Sequence, residues 1–316
     1  MAPRDDAERR LVRHYRAAVG QCAANLSRDL GKFHVPPASS PYKQDDKTAR
    51  RVTNHKQRHP RARILTLNLE QSFHKIANVR DHLEALATVL GSDPPPVYAP
   101  SSLTRVIVEA AAGLHALLDG SIDIEERLLR ASSALLESYH HSLNAALQLP
   151  PHMFPDAASD ARRRLDALVK RVERTGLEVR RQVNGKPTGV RWVGASAFRG
   201  VPFATTSAMI EEAFSGYPAL YQMGSGVAHS MEWMLGDNAR IAVTGPAIMT
   251  YESNPLANGG SATAAVAATE VVISAYGRYM GFDPEDALVP YRRRRETLDK
   301  YMNEFALRRP RSLQRS

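Results

Sequence analysis

Apolar positions recur every three or four residues along most of this chain. The clearest seam runs over about 63–90, where Leu69, Ser72, Ile76, Val79, Leu83, Leu86 and Leu90 step by 3, 4, 3, 4, 3 and 4. That spacing lays one side of a helix against neighbouring helices. Leu11, Tyr15, Val19 and Cys22 mark the same period in a helix predicted over 5–30. GSDPPPVYAP, 91–100, stops the long helix, and Ser101 or Ser102 can cap the next one, which reaches about Asp119. Asp123 and Glu126 form a capping box for a helix running to Leu149. PPHMFP separates it from a charged helix at about 157–176.

The stretch LEVRRQVNGKPTGVRWVG, 177–194, is the β-like part, with Asn184-Gly185 as the turn of a hairpin. Helices resume near 206 and 217. Residues 261–280 are Ala-rich, and Glu270 with two threonines and two tyrosines makes them a poor membrane span, so a buried core helix is expected. Asp283-Pro284 opens a last helical region that Pro290 interrupts. The fold class that follows is all-α: a multi-helix bundle with one small β-hairpin.

Between the first two helices lies HVPPASSPYKQDDKTARRVTNHKQRHPRAR, 34–63, rich in proline and charge and poor in large apolar residues, which reads as a flexible basic loop. The chain therefore divides into 1–62, an N-terminal helix plus that loop; 63–282, a helical core domain; and 283–316, a C-terminal helix and basic tail.

Charge follows the same division. The net charge of +9 splits into +8 over 1–62, −2 over 63–282 and +3 over 283–316. Basic ends on a neutral body can hold RNA or another polyanion through counterion release, or they can merely keep the chain soluble. Cys22 is the one cysteine, which excludes an internal disulfide framework and a thiolate zinc site within one chain and fits a reducing compartment. The N-terminus MAPRDDAERR lacks the apolar run of a signal peptide, so the expected location is cytoplasmic, with no membrane partner.

No P-loop, Gly-x-Gly-x-x-Gly, Gly-x-Ser-x-Gly or His-Glu-x-x-His occurs, and no cofactor is expected. Glu137-x-x-His140 has a di-iron spacing, yet a second such pair is missing, so no metal site is expected. Arg9-x4-His14 has a spacing seen in helical ribonucleases. No helix-turn-helix signal points to sequence-specific DNA binding.

The most pointed segment is YPALYQMGSGVAHSMEWMLG, 217–236. Wound as one helix, it gathers Leu220, Met223, Val227, Met231, Met234 and Leu235 on one arc and Tyr221, Ser225, His229 and Glu232 on the opposite one. Gly224, Gly226 and Ala228 flank the polar stripe and would let a backbone or ligand come close. His229 then works as an acid/base or phosphate-facing group, or else bonds a buried partner at a helix crossing. In 101–119, Arg105 and Glu109 stand one turn apart above Ala112 and Ala116; they are either a surface ion pair or, since alanines rather than charges lie beyond them, a partly covered pair that could orient His229.

Three stretches, TRVIVEAAAGLHALLD (104–119), RGVPFATTSAMIEEAF (199–214) and YPALYQMGSGVAHSMEWML (217–235), resemble a group of bacterial helical proteins similar to HEPN-like domains, many of which act in toxin and phage-defence systems. The resemblance covers about 100–236 and implies a metal-independent ribonuclease or RNA-binding protein, working as a homodimer. It implies His229 as the acid/base at a ribose hydroxyl, Arg105 as the group that stabilises phosphorane charge, and Ser225 and Ser230 as phosphate-positioning groups; Glu109, paired with Arg105, and Tyr221, on the stripe of His229, complete the candidate catalytic and substrate-binding residues. The Arg-x4–6-His motif of catalytic HEPN domains is absent before His229. A non-enzymatic helical interaction protein, dimeric and with arms that bind a polyanion or a protein, is the alternative.

Overall fold

The structure is a computed structural model that describes residues 6–216, 226–227, 229–231, 234–236, 239–243 and 249–308. Its elements in chain order are α1 (Asp6–Gly31), α2 (Pro41–Arg51), α3 (His55–Leu90), α4 (Ala99–Leu117), α5 (Ile124–Leu147), α6 (Ala157–Glu173), β1 (Leu177–Arg181), β2 (Pro187–Trp192), β3 (Arg199–Gly200), α7 (Thr206–Ala213), β4 (Ala239–Val243), β5 (Met249–Ser253), α8 (Pro255–Tyr279) and α9 (Glu285–Arg308). The fold is an all-α bundle with a three-stranded and a two-stranded antiparallel sheet.

Two apolar cores share α3. The larger core joins α1, the second half of α3, α4, α7, α8 and α9, around Tyr15, Val19, Leu83, Leu86, Ile107, Leu114, Ala265 and Val266. The smaller joins α2, the first half of α3, α5, α6, β1 and β2, around Ile64, Leu128, Leu136, Leu165, Val169 and Val190. At 36 residues, α3 spans roughly 54 Å, long enough to serve both. Its heptad-like seam is buried as its spacing requires, with Ile76, Val79, Leu83, Leu86 and Leu90 all in the larger core.

Contacts along the larger core fix helix directions. Gly259 of α8 lies against Tyr15 and Gly277 against Phe33, so α1 and α8 run parallel. Thr104 donates to the Ser261 carbonyl near the start of α4, and Gly120, just past its end, lies against Arg278, so α4 runs parallel to both. Arg295 pairs with Glu270, and Met302 meets Gly259, so α9 runs the other way. Gly20 meets Ala87 and Gly91 meets Arg16, so α3 is antiparallel to α1. The starts of α1, α4 and α8 therefore gather with the ends of α3 and α9 at one pole. α8 passes through the middle of this packing, and its Ala, Gly and Ser positions are small because neighbours approach from several sides.

The hairpin forms at β1–β2 with Leu177 opposite Trp192, and Gly185 takes a positive φ of 82° in its turn, which glycine adopts without steric cost. Two additions were not expected: β3 pairs with β2, and β4 pairs with β5 just before α8.

Two expectations fail. The basic loop expected over 34–63 is instead α2 and the first turns of α3. Ser40 caps α2 by accepting from Lys43 N–H, with Pro41 at the first helical position, and Asn54 caps α3 through Lys56 N–H. The stretch looked unstructured because α2 buries only Asp45 and Ala49, so its anchor is polar rather than apolar. Pro290 does not interrupt the last helix. It lacks one hydrogen bond, to the Asp286 carbonyl, and the burial of Leu288, Tyr291 and Leu298 offsets that loss.

Asp45 explains how α2 is held. Arg127 of α5 is 1% exposed, and its Nε donates to Asp45 Oδ2 at 2.6 Å. Nη1 donates to the Asp119 carbonyl at 2.6 Å and Nη2 to that of Ile122 at 3.0 Å. The guanidinium also lies 4.7 Å from the centre of the Tyr279 ring, whose hydroxyl donates to Asp45 at 3.2 Å. A buried charge tolerates its burial only when paired and hydrogen-bonded in this way.

Candidate functional site

Arg105 and Glu109 meet as the sequence suggested. Nε donates to Oε1 at 2.6 Å, and the side chains are 21% and 33% exposed, so the pair is partly covered. Ala112 and Ala116 are buried as well as Ile107 and Leu114, because α3, α7 and α8 all pack on α4. The start of α4 is tied to α8 by the Ser101–Ser261 hydroxyl pair at 3.4 Å and by Thr104.

The segment holding His229 is not one continuous helix. Gly226 and Val227 are helical, His229 and Ser230 form a turn, and Ser230 has φ 54°. Ser230 N–H donates to the Val227 carbonyl at 3.0 Å and Met231 N–H to that of Gly226 at 2.8 Å. This pair of bonds around a left-handed residue is the Schellman termination of a helix. A second helical turn follows, with Met234 and Leu235 N–H donating to the Met231 carbonyl. Val227 and Met234 are buried as expected, whereas Met231 is 50% exposed.

His229 and Ser230 are exposed in that turn. Tyr221, Ser225 and Glu232, with Gly224 and Ala228, lie outside the described residues. Tyr98 Oη donates to the Leu235 carbonyl at 3.4 Å, which brings the end of this segment to the start of α4.

The metal spacing in α5 does not assemble a site. His141, rather than His140, faces Glu137 at 3.9 Å, and His140 pairs with Asn144. Among the described residues, no group of three metal-ligating side chains occurs. Burial pushes the Cys22 thiol up to about 12, so it is a packed core group and not a nucleophile.

A surface that the search for catalytic motifs missed lies on α1. Arg9, Arg13 and Arg16 fall within about 60° of helical arc and are exposed, with Arg10 just beside them. Ala17, Gly20 and Ala24 continue the same face, so little stands between the guanidinium groups and solvent. Two grooves flank it. One of about 540 Å³ is lined by Arg13, Arg16, Gly20 and Gln21 with Ala87 and Thr88 of α3. The other, of about 190 Å³, runs from Arg9, Arg13 and Arg16 to Leu90, Ser92 and one carboxylate residue, Asp93. Arg16 rests on Gly91, where a Cβ would sit 2.9 Å from its Nε, at the negative end of α3. Arg9 pairs with Asp6 at 2.9 Å, while Arg10, Arg13 and Arg16 have no ion pair among the described residues. The signal available in sequence was the i, i+4, i+7 spacing of these arginines.

Across α1 from this ridge, the His14 ring stacks on Tyr301 of α9, with centroids 3.9 Å apart and planes 13° from parallel. The pair borders a cavity of about 250 Å³ that Arg10, Leu11, Glu304 and Phe305 also line. Arg9, the partner suggested by spacing, is not among its lining residues; Arg10 is. No family model matches the chain, and neither a curated protein nor a solved structure matches it.

Proposed function

We propose that this chain is an RNA-binding helical protein that holds the phosphate backbone along α1. The observation that carries this is the ridge of Arg9, Arg13 and Arg16 above open grooves, with Arg13 and Arg16 unpaired among the described residues. Guanidinium groups free of carboxylate partners are the groups that displace counterions from a polyanion. The concentration of positive charge in 1–62 and the resemblance to HEPN-like domains favour RNA as that polyanion.

A second reading is metal-independent cleavage at His229, with Arg105 and Glu109 in support and Tyr221, Ser225 and Ser230 holding the substrate. It is favoured by the exposure of His229 in a turn and by the bond between Tyr98 and Leu235 that brings this segment to the helix of Arg105. The chemistry asked of the imidazole is proton transfer at a ribose hydroxyl near neutral pH.

Fluorescence anisotropy with a labelled twelve-nucleotide uridine RNA in EDTA, followed by a denaturing gel, separates the readings. The first predicts binding that is weakened at least about tenfold by replacing Arg9, Arg13 and Arg16 with Gln, with the RNA intact. Cleavage abolished by His229→Ala would establish the second. Neither binding nor cleavage would refute both.

A further inference from the structure

We infer that the cavity between α1 and α9 is a guanine-binding pocket. Four features define it: a stacked aromatic wall of His14 and Tyr301, an apolar floor of Leu11 and Phe305, one carboxylate, Glu304, and one guanidinium, Arg10. Glu304 and Arg10 form no ion pair with each other or with any other described residue, although they line the same small space. Their charges are therefore available to a ligand.

The volume of about 250 Å³ suits one nucleobase with part of its sugar and not a folded ligand. His14 and Tyr301 already stack on each other, so a base stacks on the outer face of the pair rather than between the rings, and such stacking accepts any base and gives affinity without choice. Choice comes from the carboxylate, which accepts hydrogen bonds and donates none. Guanine alone presents two adjacent donors, N1–H and the 2-amino group, on its pairing edge. They match the two oxygens of Glu304. Adenine and cytosine each offer one donor beside an acceptor, and uracil offers one donor between two carbonyls, so each sets a lone pair against the carboxylate. Arg10 lies one helical turn before His14 and takes the phosphate attached to the bound nucleoside.

The pocket lies on the same helix as the arginine ridge, roughly 100° around it from Arg13, with Arg10 between the two. A strand held along Arg9, Arg13 and Arg16 would present a base to it, and for RNA as the source of that base the inference rests on the RNA-binding reading. A free guanine nucleotide carries the same chemistry and is the other source.

Two arms test it. Calorimetric titration with 5′-GMP, AMP, CMP and UMP addresses the pocket alone. GMP is expected to bind at least about tenfold tighter than the others, and Glu304→Gln, the same size without the second acceptor, is expected to erase the preference. Tyr301→Ala is expected to weaken all four nucleotides, and circular dichroism checks that both variants fold. Anisotropy with the uridine twelve-mer, and with one carrying a single central guanine, addresses the source. A preference for the guanine RNA that Glu304→Gln removes identifies RNA; a preference confined to free GMP identifies the nucleotide. Salt-sensitive binding of the uridine RNA with no guanine preference in either arm overturns the pocket and leaves the RNA reading standing. GMP selectivity without binding of the uridine RNA does the reverse. A guanine preference that survives Glu304→Gln in a folded protein also overturns the pocket.

Discussion

Removing the carboxylate from Asp45 should destabilise the fold more than its place in a polar, eleven-residue helix suggests. Asp45→Asn leaves the Arg127 guanidinium 1% exposed with no counter-charge. Breaking one side of a buried pair typically costs about 3–5 kcal/mol. Here the carbonyls of Asp119 and Ile122 and the face of Tyr279 remain to the guanidinium, so the lower end, about 3 kcal/mol, applies. With about 2.1 cal/mol/K of unfolding entropy per residue, a chain of 316 residues loses about 5 °C in Tm for that change. Thermal melts followed by circular dichroism give the value. Arg127→Met and the double variant complete the cycle. Because each single change strands the other charge, the double variant should lose less than the sum of the singles, by about 2 kcal/mol. A Tm for Asp45→Asn equal to that of the parent, or strictly additive losses, would refute the reasoning.

Three further changes probe the larger core. Asp29 accepts from Tyr291, Lys32 and Arg28 at 2.7, 2.9 and 3.3 Å. Burial raises its carboxyl pKa, but these bonds outweigh that and hold it below the usual carboxylate value. A depressed folded pKa contributes stability above the unfolded value of about 3.9 that is lost as pH falls through the folded pKa. Asp29→Asn should therefore lower Tm at pH 7 and approach the parent near pH 2; an equal gap at both would contradict this. The Tyr15 hydroxyl is buried without a hydrogen-bond partner among the described residues, so Tyr15→Phe should leave stability unchanged or raise it by up to about 1 kcal/mol in urea titrations. A methyl group at Gly259 runs into Met302 and the Tyr15 ring, whose Cζ would lie 2.7 Å away. Gly259→Ala should thus lose about 1–3 kcal/mol by overpacking, despite the better helix propensity of alanine, and a stabilised variant would show that α1 and α9 stand further off than described.

What could be read from the sequence follows from what periodicity can carry. The α3 seam, the Asp123 N-cap and the Asn184-Gly185 turn are local signals, and each forms where its residues dictate, although Glu126, the other half of the expected capping box, accepts from Arg130 and Arg199. α2 escaped because its buried anchor is a carboxylate whose partner, Arg127, comes 82 residues later. The break at Ser230 escaped because a helical wheel assumes continuity and cannot show one residue turning left-handed. The pairing of Arg105 with Glu109 was legible at one helical turn. The cavity at His14 was not, since its opposite wall, Tyr301 and Glu304, lies nearly the whole chain away. The arginine ridge was legible as charge in 1–62, and only packing showed that it stands on a rigid helix beside grooves rather than on a loose arm.

The salt dependence of RNA binding tests the central claim most directly. For single strands, the slope of log K against log salt changes by about 0.7 for each phosphate neutralised. Three ridge arginines should therefore make the parent slope steeper by about 2 than that of the variant with Gln at 9, 13 and 16, measured with the uridine twelve-mer between 50 and 300 mM salt. Parallel lines, or binding that ignores salt, would contradict an RNA-binding role for α1.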